Sequence, residues 1–576
     1  MAQRRKYGLF GVAASVFTLA APFLGTAFDK SAVLGAFLSL MLFFTAIYVD
    51  RTASLPLSLP SFFVFAVTAY AFLNIIWASD KGRAFMLATV FALAFLMMTE
   101  VRSVKRRGER KAFESAAKAV LCRGAVIYAV FSVMYQFFIS DKIFSYTMDF
   151  GTGAPFAAAM LMSVGVLCEM SLFKDKKKTP GFFAVMILLL YVLLLTRSLT
   201  GYFAALLTFG AYFVRRGKKY RVQAALFFLL AGIFFVISVI CAIATLPGAR
   251  PFIKAALYGT ANIFGVGCGG YNARFSIVGD GYTGAPPLWA LLAESYGIFG
   301  LAASLFAFVY GARRYIKKRR ISDLLALLTI LGVLLTPSTT ILFTIPLIAS
   351  CYASESTGVS IKVPRASSIL CAAAGLFRLF LTFARLPLAL CAWYADVGEY
   401  EKASMFAEAG AKMELFMADG WEKAYEAAYA ACENGARNEK DCEYYLEMAM
   451  ARDKKDLSYP SKLSELYSNE KRHDDALSVW RGIMDQCDDE RLYPVYAEKI
   501  SGSMSVSSAS IEKERALYEE LTLIAGKCED AEIKKTVNDT LSKAQRYFVV
   551  SIEGEDPQGD MFESSTEIPS EEASEE

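Results

Sequence analysis

The sequence predicts an all-α protein in two parts, a polytopic transmembrane helix bundle followed by an α-solenoid-like soluble domain. Three observations predict it. Of 576 residues, 55% are hydrophobic, and the mean hydropathy is +0.38; a soluble globular protein is about 45–50% apolar. The excess is confined to one region. From Leu9 to Leu390 long apolar runs alternate with short charged loops, whereas beyond Glu399 the chain is rich in Glu, Lys, Ala and Tyr and has no run of membrane length. Finally, every second loop of the first region is strongly basic.

A helix crosses the hydrocarbon layer with about 20 apolar residues, and in lipid the backbone has no cheaper way to satisfy its polar groups. The qualifying runs are 8–27, 32–49, 57–78, 84–99, 119–139, 153–173, 181–197, 200–214, 222–245, 287–310, 323–336 and 339–353. The last pair flanks Thr336-Pro337-Ser338 and admits a broken or re-entrant element instead. A thirteenth run, 366–392, carries Arg378 near its centre, with Arg385 and Pro387 after it. A central Arg costs about 2.5–3.5 kcal/mol on insertion scales, so a spanning helix and an interfacial amphipathic helix both stay open. The expectation is about 12–13 spans. Arg4-Arg5-Lys6 ahead of an apolar run reads as an uncleaved first helix, because no clear small-x-small cleavage site precedes Asp29.

Loops 4–6, 102–111, 174–178, 215–221 and 313–320 are basic and the intervening ones are poor in Lys and Arg. Positive charge is retained on the cytoplasmic side, so the N-terminus is expected in the cytoplasm. The turn 197–201 and the long segment 246–286 then face outward. That segment is the longest hydrophilic stretch of the region, and loops of such length inside a tight bundle are usually functional or disordered. It carries Arg250, Lys254 and Arg274 on the side where cations are disfavoured, which makes them candidates for binding an anion.

The expected domains are 1–365, the bundle; 366–392, a last transmembrane or interfacial helix; 393–550, helical repeats; and 551–576, an acidic disordered tail rich in Ser, Glu and Pro. A helix–turn–helix pattern with Gly398, Tyr400, Ala403 and Ala407 recurs around Leu466–Trp480, with Tyr400 and His473 in matching places. Residues 421–434 and 438–452 form another pair, and 510–547 caps the array. The pattern resembles tetratricopeptide repeats, whose period is about 34 residues; stacked helix pairs of that kind present a concave surface to protein partners. The chain has 11 Cys without a CxxC and a single His, so neither a zinc site nor another metal or cofactor is expected. No nucleic-acid partner is expected.

Three segments carry the candidate chemistry. In Leu193-Leu-Leu-Thr-Arg-Ser-Leu-Thr-Gly-Tyr-Phe-Ala204, Arg197 is an ionisable group at the outer end of a span, a functional candidate by position. Asn262-Ile-Phe-Gly-Val-Gly-Cys-Gly-Gly-Tyr271 matches G-x-G-x-x-G at Gly265, Gly267 and Gly270. It lacks the strand–turn–helix context of a dinucleotide fingerprint, so its glycines read as sites of close backbone approach or anion-binding amides. In Ala285–Gly300, Glu294 is alone in an apolar stretch.

In this order the three segments resemble the O-antigen ligase and polymerase family of membrane glycosyltransferases, over roughly 60–350. Ser198-Leu-Thr-Gly matches its first motif, Phe264-Gly-Val-Gly its second, and Leu288…Leu291-Leu-Ala-Glu…Gly297-Ile-Phe-Gly300 its third. Tetratricopeptide-like tails follow this domain in some members. The resemblance implies a GT-C-like bundle. It also implies an outward cavity in which arginines hold a polyprenyl-diphosphate-linked glycan while the glycan passes to a hydroxyl of a glycan or cell-surface acceptor. Arg197, Arg274, Glu294 and Asp280 are the residues expected to carry that chemistry, and Arg250, Lys254, Gly265, Gly267 and Tyr271 the substrate-binding ones. Two departures stand out. Leu199 replaces the family Arg after the motif Ser, and the family His falls at Ala285 or Pro286, with no other His in the membrane region. Asp280 and Glu294 are equal candidates for its place. A scaffold that binds lipid-linked glycan without reacting, and recruits a protein partner through the repeats, is the alternative. A transporter is disfavoured by the absence of paired broken spans in corresponding halves.

Overall fold

The computed structural model describes residues 54–56, 59–103, 122–134, 155–172, 180–244, 246–282, 286–318, 360–362, 365–384, 386–413, 418–433, 439–487, 489–506 and 511–553, with isolated positions in 39–46, 136–137 and 323–334. The predicted spans 8–27 and 339–353, most of 32–49 and 323–336, and the tail beyond 553 lie outside the described residues. The described chain is helical apart from one short antiparallel pair. Strand β1 (Ser54–Pro56) meets β2 (Ser360–Lys362) with Leu55 opposite Ile361. Two compact units divide it: Met1–Asn272 with Gly281–Arg437, and Ala273–Asp280 with Asn438–Glu576. The boundary near 437 leaves the helices between 400 and 433 in the first unit, although their sequence pattern is that of the repeats.

In the first unit the helices are α1 (Leu59–Asn74), α2 (Lys81–Ser103), α3 (Cys122–Met134), α4 (Pro155–Leu172), α5 (Pro180–Leu195), α6 (Leu199–Arg216) and α7 (Arg221–Ala244). After them come α8 (Leu246–Ala261), α9 (Gly270–Phe275), α10 (Leu288–Lys318), α11 (Arg365–Ala384), α12 (Leu386–Asp396), α13 (Tyr400–Met413) and α14 (Asp419–Glu433). The apolar runs among the described residues are helical, the conformation in which such a stretch pairs its own backbone groups internally. Local signals set the ends. Proline opens α4 and α5, where its missing N–H is not needed. Ser198 caps α6, its Oγ accepting from Gly201 N at 3.1 Å.

Among the described residues, four stretches are long and apolar enough to cross a membrane: Lys81–Thr99, Lys218–Ile237, Leu288–Lys317 and Arg365–Ala395. One buried cluster joins Leu87, Val90, Leu93 and Leu96 of α2 to Leu291, Leu292 and Tyr296 of α10. Another joins Tyr128, Met162, Leu189 and Phe209 of α3 to α6. On α7, by contrast, Val222, Leu229, Val236 and Ile240 are more than half exposed. Apolar surface costs about 25 cal/mol per Å² in water but nothing against lipid tails as apolar as leucine.

Two expectations change. Segment 246–286 is not one loop: α8 and α9 occupy much of it. Span 287–310 is not continuous, because Gly297 takes φ 62, ψ −139 and breaks α10. Arg378 stays near the centre of the apolar stretch Arg365–Ala395; it is buried, and its Nη1 donates to the carbonyl of Gly82, in the first turn of α2, at 3.2 Å.

The second unit contains α15 (Glu439–Arg452), α16 (Ser458–Asn469), α17 (His473–Gln486), α18 (Tyr493–Val506), α19 (Ile511–Lys527) and α20 (Ala531–Glu553) around Leu477, Trp480, Ile483, Ile500 and Leu521. The matching places seen in the sequence have matching geometry. Gly398 is left-handed at φ 83, and Glu399 N donates to Tyr394 O at 3.0 Å before α13 starts at Tyr400. Lys471 is left-handed at φ 62, and Arg472 N donates to Tyr467 O at 2.8 Å before α17 starts at His473. Both turns are left-handed helix ends of the kind that glycine favours. Lys471→Gly should therefore stabilise this unit by about 0.5–1 kcal/mol, because a side chain in that region is strained. Thermal unfolding of the purified variant measures it.

Candidate functional site

The break in α10 is built by two glycines. A Cβ on Gly297 would lie 2.2 Å from Asn262 O, and one on Gly300 1.8 Å from Leu292 O. The helix can bend back only because neither has a side chain. A break frees carbonyls, and in an apolar setting each freed carbonyl needs a donor. Val266 N donates to Glu294 O at 3.0 Å, and Asn74 Nδ2 donates to Ser295 O at 2.8 Å. The G-x-G run thus threads between the break and the turn joining α1 to α2. Gly265 (φ 74) approaches Ser295 O and Gly267 (φ 90) approaches Trp77 O and Ala78 Cα. Asp80 N closes the other side on Cys268 O at 2.8 Å, and Tyr70 OH donates to Phe264 O at 2.6 Å. Close backbone approach, read from the sequence, is what the glycines supply. The backbone they approach is the protein's own, and the amides of Gly265, Val266, Gly270 and Tyr271 are engaged within the chain.

Glu294 stands at the centre, with no exposed surface. Its Oε1 accepts from Tyr271 N at 3.0 Å and its Oε2 from Tyr282 OH at 2.7 Å. Tyr271 and Tyr282 lie parallel, 2° between planes and 6.5 Å between centroids. The Asn272 side chain ties the same two segments together: Nδ2 donates to Tyr282 O at 2.8 Å, and Tyr282 N donates to Oδ1 at 2.9 Å. Arg83, in the first turn of α2, pairs with Asp80 at 3.2 Å and keeps 23% of its side chain exposed. It lies close enough to Glu294, Tyr282 and Cys268 to interact with all three electrostatically. Burial, then the neighbouring Glu294 carboxylate, raises the Tyr282 phenol far above its usual range, so it stays a proton donor. Burial also raises the Cys268 thiol, whose Sγ is 3.0 Å from Ser295 Oγ.

Of the residues singled out in the sequence, Glu294, Tyr271, Gly265 and Gly267 come together here. Arg250 and Lys254 lie exposed on one face of α8, while Ala255, Ala256 and Gly259 of that helix are buried and Gly259 abuts the backbone of Glu294. Arg197 is exposed at the α5–α6 turn, left-handed at φ 49. Arg274 and Asp280 belong to the second unit, where Asp280 pairs with Arg491 and Arg274 lies 5.8 Å over the Phe275 ring. Arg83, Asn74, Asn272, Tyr282 and Ser295 are absent from the sequence candidates. Arg83 was findable by the reasoning applied to Arg197, as a cation at the end of an apolar run. Nothing local marks the others, since each works through a partner distant in sequence or through a loop closure. No protein-family model matches the chain, and no curated protein matches it.

Proposed function

We propose that the chain is a multi-pass membrane protein that transfers or polymerises glycan, outside the cytoplasm, from a polyprenyl-diphosphate-linked donor to a cell-surface acceptor. The observation that carries the reading is the Glu294 centre with Arg83 beside it. A partly exposed guanidinium is held by Asp80 next to a buried carboxylate and the raised Tyr282 phenol. A diphosphate leaving group develops charge that fixed, partly desolvated donors stabilise, and the planar fork of Arg suits it. Arg197 adds support: a non-glycine residue held at φ 49 is the kind of local strain that clusters at functional positions. Arg250 and Lys254, exposed on one face of α8, are further cations of the segment read as outward.

The arrangement of sides supports the same reading. β1 and β2 join two segments that the basic-loop alternation puts in the cytoplasm, and the Asp80–Cys268 bond joins two that it puts outside. Ala273–Asp280, in the outward segment, is built into the second unit. The C-terminal helices then lie outside, and α11 is the apolar helix that carries the chain across. Outside, their helical pairs are available to a protein partner.

A non-catalytic scaffold is the second reading. It is favoured by the engagement of both Glu294 oxygens and of Asp280, the two candidates for the place of the family His. The test uses purified full-length protein and a labelled lipid-diphosphate glycan. Transfer that falls at least about tenfold in Arg83→Lys, which keeps charge but loses the fork, supports catalysis; saturable binding without transfer supports the scaffold. Ser276→Cys should be labelled by an impermeant reagent in intact cells, and protection there until lysis would overturn the orientation.

A further inference from the structure

The nine-residue excursion between Asn272 and Tyr282 has its stem in one unit and its tip in the other. At the stem, the Asn272 amide makes both hydrogen bonds of a strand-like bridge to Tyr282, and the residues on either side of the tip, Tyr271 and Tyr282, are the two donors to Glu294. The tip, Ala273–Asp280, is held within the C-terminal unit by three kinds of interaction. Leu457 N donates to Ala273 O at 2.8 Å. Phe275, Ile277 and Val278 pack on the cluster that contains Leu457, Leu492 and Tyr493. Asp280 makes an ion pair with Arg491, which is itself fixed by Asp489 at 2.6 Å.

We propose that the C-terminal unit is a clamp on the Glu294 centre. By gripping the tip it fixes the spacing of the two chain ends from which Tyr271 and Tyr282 reach the carboxylate, so that Ile277, Val278, Asp280 and Arg491 act as positioning residues for a site they do not enter. The coupling follows from covalent geometry. Two short connections, one residue at each end, join the tip to the Glu294 donors, and a short loop with both ends pinned loses most of its freedom. A released tip leaves Tyr282 held near Glu294 by the Asn272 bridge, its own hydroxyl bond and its packing on Tyr271 and Phe252, without the covalent restraint from the tip. The clamp is independent of what the site binds, and it gives the C-terminal unit a role that a passive recruiting tail would not have.

Cys268 reports the state of the centre without any assay of activity. It is fully buried against Ser295, and burial raises its thiol above the usual range, so opening is required before it reacts. Full-length protein is treated with a maleimide, and labelling is quantified by mass spectrometry at Cys268 and at Cys487 and Cys528, which are buried in the C-terminal core. Tryptic cleavage after Arg274 measures release of the tip in parallel. Ile277→Ser/Val278→Ser and, separately, Arg491→Glu should each speed cleavage after Arg274 and labelling of Cys268 by about tenfold or more, with Cys487 and Cys528 still protected. Adding Asp280→Arg to Arg491→Glu should restore both. Faster cleavage after Arg274 with Cys268 as protected as in the parent overturns the clamp, as does no change at either position. Should a variant expose Cys487 and Cys528, the clamp has unfolded; continued protection of Cys268 then overturns the proposal, and its exposure supports it.

Discussion

Gly297→Ala should prevent the protein from accumulating in its folded form. The backbone there, φ 62 with ψ −139, is costly for any residue with a side chain. The added methyl would also meet Asn262 O at 2.2 Å, Ile263 O at 2.5 Å and Gly265 N at 2.6 Å. All three are backbone atoms, so no rotamer change relieves them. Accommodating the methyl means moving the G-x-G run away, and that run supplies the donor to Glu294 O and lies against Trp77 and Ala78. Strain and lost pairing together should exceed about 4 kcal/mol, the range reached only when a special backbone position is violated. Gly232→Ala is the matched control: a Cβ there meets nothing within 4 Å, so the change should be neutral or stabilising by up to about 1 kcal/mol. Yield of monodisperse protein and thermal unfolding separate the two. A Gly297→Ala protein as stable as Gly232→Ala would mean that the break is not part of the fold.

The contrast between these glycines shows what the sequence makes legible. The described helices of the first unit are readable because a long apolar run pairs its own backbone groups most simply as a helix. The repeat turns are readable because Gly398 and Lys471 each end a helix by a local rule that needs no distant partner. A broken span is not readable in the same way. Gly297-Ile-Phe-Gly300 looks like any pair of small residues until Asn262 and Gly265 are placed against it. Helix α8 was hidden by Pro247, Gly248 and Pro251, all loop-like residues, although prolines near a helix start remove few bonds. For the site, Glu294 was visible as a lone charge in an apolar stretch. Arg83, Asn74 and Tyr282 were not, because their meaning lies in where their partners end up. Nor does anything in Ala273-Arg-Phe-Ser-Ile-Val-Gly-Asp280 announce that its partner is a domain beginning more than 150 residues later.

Glu294 itself should separate the structural from the functional role of the centre. In Glu294→Ala the Tyr271 N–H and the Tyr282 hydroxyl are left buried without an acceptor, and each unsatisfied group costs about 1–3 kcal/mol. Two such groups should lower stability by about 2–6 kcal/mol and expose Cys268 to labelling. Glu294→Gln keeps the shape. Its amide oxygen still accepts from Tyr271 N–H, and its NH₂ can donate to a Tyr282 hydroxyl turned to act as acceptor. The fold and the protection of Cys268 should therefore persist. The negative charge is lost, and with it the attraction that steadies Arg83 beside Glu294 and Tyr282. Because small misplacements of a positioning group cost up to about a hundredfold in rate, Glu294→Gln should slow transfer from a lipid-diphosphate donor by about ten- to a hundredfold while unfolding at nearly the parent temperature. Tyr282→Phe removes one donor and leaves the charge, so its loss of rate should be smaller. A purely structural Glu294 predicts the opposite pattern, in which Glu294→Gln transfers at the parent rate and only Glu294→Ala fails, through instability.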